Sequence, residues 1–416
     1  MKIKMWLKPG MKLKRWALLA IIGIIGMSFG LSFLFGEKSY SINIYTMSIA
    51  FIASGIALIY VAVSFILKNF YKLLSIGGFK GSLDFEKINE IVFKQKLLIK
   101  GPKIVVIGGG TGISTMLRGL KKLSSNLTAV VTVADDGGGS GMLRSDLGML
   151  PPGDIRNCIL ALADTEPVLE RLLEYRFKDG TLKGQCFGNL FLAAMDGISE
   201  NFQEAVKKVS DVLAVTGRVL PVTLDDVALR AELESGRNII GESKIGDRGC
   251  DAQDKILKIN LEPENVEPLQ EVLDAIIESD IIILGPGSLY TSVLPNLLVE
   301  GVQDAIKCSK ALKVYVCNVM TQPGETDGKR VSDHIKAIEE HTYDGIVDYC
   351  LVNNTIISDE LKEKYALEGA CQVDIDTKRL EGMGVKCVEG DFLTVIDGLV
   401  RHDADKLAKK ILSLKR

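Results

Sequence analysis

The sequence predicts an α/β protein: a Rossmann-like, mostly parallel sheet with crossover helices and a small antiparallel insertion, preceded by a two-helix transmembrane hairpin. Three observations predict it. Two long uncharged apolar runs, 16–36 and 44–67, open the chain of 416 residues. From Pro102 onward, apolar strand-like runs alternate with helical patterns. These strand-like runs end, one after another, in glycines, acids and small polar residues.

Each apolar run is long enough to cross about 30 Å of hydrocarbon. The link between them, Glu37-Lys-Ser-Tyr-Ser-Ile-Asn43, is short, which favours a hairpin. A cleaved signal peptide is the competing reading, since basic residues precede the first run. That run is too long for a signal core, lacks a small-residue cleavage site and is followed by a second span. Lys2, Lys4, Lys8, Lys12, Lys14 and Arg15 precede the first span, Lys68, Lys72 and Lys80 follow the second, and the loop holds only Lys38. The positive-inside rule then places both termini and the main domain in the cytoplasm, giving a cell-membrane protein with two spans. Neither span carries a charge, so the hairpin reads as an anchor and not a channel. The domain plan is a hairpin over 1–67, a juxtamembrane connector over 68–101 and a nucleotide-binding domain over 102–416.

A formal net charge of -3 gives no basic domain of the kind a nucleic-acid binder shows. The eight cysteines form no Cys-x-x-Cys pair, which suits a reducing cytosol. His334, His341 and His402 lack zinc-ligand spacing with any of them.

Strands are expected over 103–107, 127–133, 281–284, 313–319 and 349–352, as nearly continuous apolar runs of the kind buried on both faces. Helices are expected over 113–123, 168–175, 190–195, 202–214, 269–278, 331–340 and 405–414. Between 218 and 261 the pattern changes to short strands with an Asp225-Asp226 corner and a Glu234-Ser-Gly236 turn, an antiparallel insertion.

The first strand empties into Gly108-Gly-Gly-Thr-Gly112 and the second into Asp135-Asp-Gly-Gly-Gly-Ser-Gly141. The third leads to Gly285-Pro-Gly-Ser288, the fourth to Asn318-Val-Met-Thr-Gln-Pro-Gly-Glu-Thr326, and the fifth to Asn353-Asn354. Glycine and asparagine make turns anywhere, which explains any one loop. Five such ends would meet at the carboxyl edge of a parallel sheet, where nucleotides bind.

Gly109, Gly110, Thr111 and Gly112 would bring backbone amides to an anion at a helix N-terminus. The run lacks the third glycine of Gly-x-Gly-x-x-Gly and the Gly-Lys-Ser/Thr of a P-loop, which counts against NAD(P). Gly285, Gly287 and Ser288 offer a second amide cluster. Asp135 and Asp136 have three readings: partners of ribose hydroxyls, ligands of a divalent cation beside a diphosphate, or turn formers. In Pro151-Pro-Gly-Asp-Ile-Arg-Asn157, Asp154 is expected to cap a helix, and Arg156 either reaches phosphate or makes a structural ion pair. Gly188-Asn189 is a second cap pattern with a ligand-facing side. With three histidines and no serine–histidine–acid set, any acid–base chemistry falls to carboxylates.

These blocks resemble those of the CofD/YvcK family, from Lys103 to the end of the chain. The carriers are Ile107–Gly112, Ala134–Gly141, Pro152–Asn157, Gly285–Ser292 and Asn318–Thr326; the last two, with Val400-Arg-His-Asp403, favour the YvcK branch, the gluconeogenesis factors. The resemblance implies a regulator that binds UDP-N-acetylglucosamine and supports cell shape and cell-wall precursor supply. It implies no required cofactor, with Mg2+ as an accompanying ion. The implied partner is a cytoplasmic protein, with glucosamine-6-phosphate synthase as candidate, or a second copy of the chain. The family's other branch, 2-phospho-L-lactate transferase, implies a metal-dependent phosphotransferase using Asp135 and Asp136. Asp154, Arg156, Asn157, Asn189 and Asn318 complete the candidate ligand set, and the resemblance adds two remote residues, Tyr365 in Lys362-Glu-Lys-Tyr365 and Arg401. This chain departs from the pattern at Gly139-Ser140, where Ser140 is the one remaining hydroxyl, at Ala404, where relatives carry a phosphorylatable threonine, and in its hairpin.

Overall fold

Strand β1 (Ile104–Gly108), buried at every position, is the centre around which the larger part of the chain is built. The computed structural model describes residues 13–35, 42–74, 93, 95–246 and 254–415. It divides into two compact units, Met1–Leu97 and Leu98–Arg416.

In the first unit, helices Leu13–Leu34 and Ile42–Leu74 pack along each other. Glycines permit the close approach: a methyl built on Gly23 would stand 2.8 Å from the Gly55 carbonyl oxygen, and one on Gly30 2.8 Å from that of Ser48. Trp16 stacks on Phe65 with ring centroids 4.1 Å apart. Within these helices, Arg15–Leu34 and Tyr45–Ile66 are long and apolar enough to cross a membrane. The second helix continues to Leu74, beyond the expected end of the span at 67. The link at 36–41, the first basic cluster through Lys12, and the connector at 75–92 lie outside the described residues.

In the second unit, β1 pairs in parallel with β2 (Leu127–Val131) on one side and β7 (Ile281–Leu284) on the other. The sheet runs β10-β9-β8-β7-β1-β2-β3, with β3 Arg218–Pro221, β8 Leu312–Val316, β9 Tyr349–Asn353 and β10 Lys386–Gly390. All its pairings are parallel. The five expected strands are its inner members. The reversal of strand order at β1 and β7 creates the crevice outside their carboxyl ends. A separate antiparallel sheet, β5-β4-β6 (Asn238–Ile240, Ala228–Leu233, Ile256–Glu262), is the expected insertion.

Three differences from expectation have physical causes. Residues 218–221 belong to the main sheet and not to the insertion, because an edge strand of four residues lacks the long apolar run of a central one. Strand β10 lies outside the expected strands because it is half-exposed and carries Lys386 and Glu389, and the short hairpin β11–β12 (Leu393–Ile396, Leu399–His402) lies outside them too. The second strand stops at Val131, and Thr132–Ala134 continues as buried loop to deliver Asp135.

Candidate crevice at the carboxyl edge

The helix after β1 starts at Gly110, inside the glycine block and three residues earlier than expected. Gly110 has φ +66°, a left-handed conformation that favours glycine. Its N–H donates to Asp154 Oδ2 at 2.5 Å. A methyl on Gly109 would stand 2.6 Å from the same oxygen and 2.8 Å from Thr132 Cγ2. The first glycine block, the end of the second strand and Asp154 thus meet at one point. Asp154 is correctly placed in a helix start but is not its cap: the helix Gly153–Leu162 is preceded by Pro152, and the carboxylate serves the neighbouring loop instead.

The β7 loop locks onto the β1 loop from the other side. Gly112 abuts the Pro286 carbonyl, and a methyl on Gly287 would stand 3.2 Å from the Gly109 carbonyl oxygen. Asn318, at the end of β8, grips Gly287 twice: its Nδ2 donates to the Gly287 carbonyl at 2.8 Å, and its Oδ1 accepts the Gly287 N–H at 3.3 Å. Ser288 Oγ lies 2.6 Å from Gln322 Oε1 and 2.8 Å from Glu325 Oε1. Thr111 is exposed at the first turn, its carbonyl accepting Ser114 and Thr115 hydroxyls. Three of the predicted blocks are therefore one interlocked unit, lined by backbone amides.

The acids gather against this unit, Asp154 touching it directly at Gly110. Asp135 Oδ1 accepts the Gly137 N–H at 2.8 Å, so the turn-forming reading is realised in part. Its other oxygen stands 3.4 Å from where a methyl on Gly153 would be, beside Ser140 Oγ. Asp136 Oδ1 accepts the Ser243 N–H at 2.8 Å and so ties the crevice to the antiparallel insertion. Burial pushes the Asp154 carboxyl up to about 6, opposed by the Gly110 hydrogen bond, reinforced by Asp135 and opposed by Arg156. A fourth acid was not anticipated. Glu242 follows β5, and burial, then Asp135, Asp154, Glu325 and Asp136, push its carboxyl up to about 9. Its Oε2 is buried without a hydrogen-bond partner. Nothing in the local sequence marks Glu242, because the insertion and not a strand end of the main sheet brings it here.

Arg156 is held by a neighbour in the chain. Its Nη2 donates to Asn157 Oδ1 at 2.6 Å, while Nε and Nη1 are buried without a hydrogen-bond partner. Its stem runs against Gly188, where a methyl would stand 2.7 Å from Arg156 Cδ. Asn189 sits in the first turn of Phe187–Asp196 and is not its cap, a position held by Cys186. It is buried with Oδ1 unpartnered.

Tyr365 and Arg401 lie in a separate cluster linked to the β8 loop. Tyr365 packs with Val319, Ile357 and Val400. Its Oη accepts the Val400 N–H at 2.9 Å, one residue before the exposed Arg401. The tyrosine hydroxyl thus fixes the strand that carries the arginine. Ala404 abuts Gly119 at the start of the last helix. Among the described residues, no three of His, Cys, Asp and Glu gather in a way that could hold a metal ion.

Residues 104–393 match the family described as 2-phospho-L-lactate transferase CofD. This chain belongs to the CofD family. Within it, the chain is similar to gluconeogenesis factors. A relative of that name from Clostridium acetobutylicum is 56% identical over 411 residues, 98% of this chain and 91% of the relative. The gluconeogenesis factor of Bacillus subtilis is 48% identical over 314 residues, 75% of this chain and 98% of that protein. A crystal structure of a Bacillus halodurans protein superimposes with a TM-score of 0.73 at 48% identity, covering 75% of this chain and 99% of that one. Relatives thus occur at two lengths, and the shorter ones are close in size to the α/β unit alone.

Proposed function

We propose that this chain is a membrane-anchored, non-catalytic regulator that binds UDP-N-acetylglucosamine in the carboxyl-edge crevice. In this reading it supports cell-wall precursor supply and cell shape by acting on a cytoplasmic protein, with glucosamine-6-phosphate synthase the first candidate. The observation that carries the reading is the start of helix Gly110–Leu120 packed against the loop Gly285–Ser288: beyond Gly110, whose N–H is taken by Asp154, the first-turn N–H groups of that helix suit a diphosphate. Relatives named gluconeogenesis factor add support. Arg401 would meet the ligand's charge, and Tyr365 would hold Arg401 in place. The two apolar helices would anchor the domain on the cytoplasmic side. Calorimetry on residues 98–416 tests it: saturable heat with UDP-N-acetylglucosamine and unchanged ligand on recovery are expected, and absence of heat removes the reading.

A second reading, a phosphotransferase, is favoured by the description of the matching family and by the acids Asp135, Asp136, Asp154 and Glu242. The described residues do not offer a protein cage for an ion. If Asp136→Asn leaves every activity intact, this reading loses its basis.

A further inference from the structure

We propose that His341 is a proton-operated latch: its neutral imidazole holds strand β6 of the antiparallel insertion, and a proton taken up at Nε2 releases it. His341 closes the helix Val331–His341 and is buried. Its Nδ1 lies 2.7 Å from the Ala337 carbonyl oxygen one turn back, and its Nε2 accepts the Ile259 N–H at 2.9 Å. A carbonyl only accepts and a peptide N–H only donates. The ring is therefore the neutral tautomer with its proton on Nδ1 and a lone pair on Nε2. A proton on Nε2 would face the Ile259 N–H, two donors head to head with no acceptor for either.

The bond fastens more than one residue. Strand β6 lies at one side of the sheet β5-β4-β6, and its Ile259 pairs with Ala231 of β4. The imidazole thus covers an N–H on the unpaired side of that strand. Beyond β5, the same insertion presents the Ser243 N–H to Asp136 of the crevice. One small sheet connects the imidazole to the acids.

The surroundings favour the neutral ring. Tyr290 meets it edge-on with centroids 6.1 Å apart, and Gln303 reaches only its main-chain carbonyl. Lys258 on β6 and Lys329 ahead of the helix are both cationic. Glu340, its neighbour in the helix, is mostly exposed and is paired with Lys336 at 3.5 Å. Burial, first among the causes, holds the imidazole below its ordinary 6.5; the Ala337 carbonyl and Glu340 oppose this, and Lys258 and Lys329 add to it. A released ring regains the ordinary value, so the open state binds the proton more tightly. The latch is fully closed above 6.5 and loosens as pH falls below it, by up to about tenfold per pH unit for one proton. This inference does not depend on which ligand fills the crevice.

Hydrogen exchange on residues 98–416, corrected for the intrinsic pH dependence of exchange, tests it, since relatives of this length stand as complete chains. Protection of residues 256–262 is expected to be constant from about pH 8 to 6.5 and to fall severalfold by about pH 5, while residues 104–108 keep theirs. His341→Gln retains an acceptor but has no proton to gain, and its 256–262 segment is expected to hold steady over the whole range. Asp154 titrates in the same window but is present in both proteins, so the difference between them belongs to His341. Imidazole nitrogen shifts of the wild type check the tautomer without any substitution, and a proton on Nδ1 alone is expected near neutral pH. Wild-type protection that does not change below about pH 6.5 overturns the proposal. So does an equal fall in His341→Gln, or a neutral ring protonated on Nε2.

Discussion

The two sides of the crevice are built on opposite principles. On the amide side, the side chains are used up: Asn318 grips Gly287, and Ser288 meets Gln322 and Glu325. What remains is the first turn of helix Gly110–Leu120, with N–H groups beyond that of Gly110, which Asp154 takes. On the acid side, burial first and then the neighbouring carboxyls raise the proton affinities of Asp154 and Glu242. The first side is fixed by packing and the second by electrostatics. A ligand with a diphosphate at one end and hydroxyls at the other would use both.

The largest effect is expected where packing is tightest. Gly112→Ala forces a methyl onto the Pro286 backbone, which has no flexible end to give way. A loss of about 1–3 kcal/mol in stability by urea unfolding is expected, with nucleotide-sugar binding weakened by more than tenfold. An unchanged midpoint would show that the two loops are not locked together. Next comes Asn318→Ala, which frees both Gly287 groups at once. It leaves two backbone groups without partners, each costing about 1–3 kcal/mol where water cannot reach. Calorimetry is expected to show weaker binding, with Asn318→Asp, which keeps only the acceptor, falling between.

The contrast also explains what could be read from sequence. Glycine blocks and strand ends declare themselves because backbone geometry demands glycine at Gly110 and bulk is excluded at Gly112. Their neighbours along the chain are enough to place them at one edge of a parallel sheet. The acid side is assembled by tertiary structure. Glu242 arrives from a three-stranded insertion, and Asp154 reaches across to Gly110 instead of capping its own helix. Arg156 turns toward Gly188 for a similar reason, since a neighbouring helix leaves room for its stem only where a side chain is missing. Edge strand β3 is too short to show a long apolar run, and the half-exposed β10 shares its composition with loops.

Glu242→Gln probes the electrostatic side. Burial pushes the Glu242 carboxyl up to about 9, against 4.5 for an ordinary glutamate. Between those values the folded state carries more protons than the unfolded one, so stability falls as pH rises through that window. Glutamine has no proton to lose. The variant is expected to lose its pH dependence over this range relative to wild type, and to gain more over it at about pH 9 than at about pH 5. Asp154 gives the same direction over a narrower window that closes at about 6, and it remains in the variant. Parallel urea midpoints for the two proteins would show that the fold does not hold Glu242 protonated.

The smallest effect is expected outside both sides. Tyr365→Phe removes only the hydroxyl that accepts the Val400 N–H, worth about 1 kcal/mol. If that bond holds Arg401 in register, the two residues act as one element. Their effects on ligand affinity then fail to add: Tyr365→Phe costs several-fold in wild type and nothing when Arg401→Ala is already present. Additive losses in this double-mutant cycle would instead mean that the tyrosine meets the ligand on its own account.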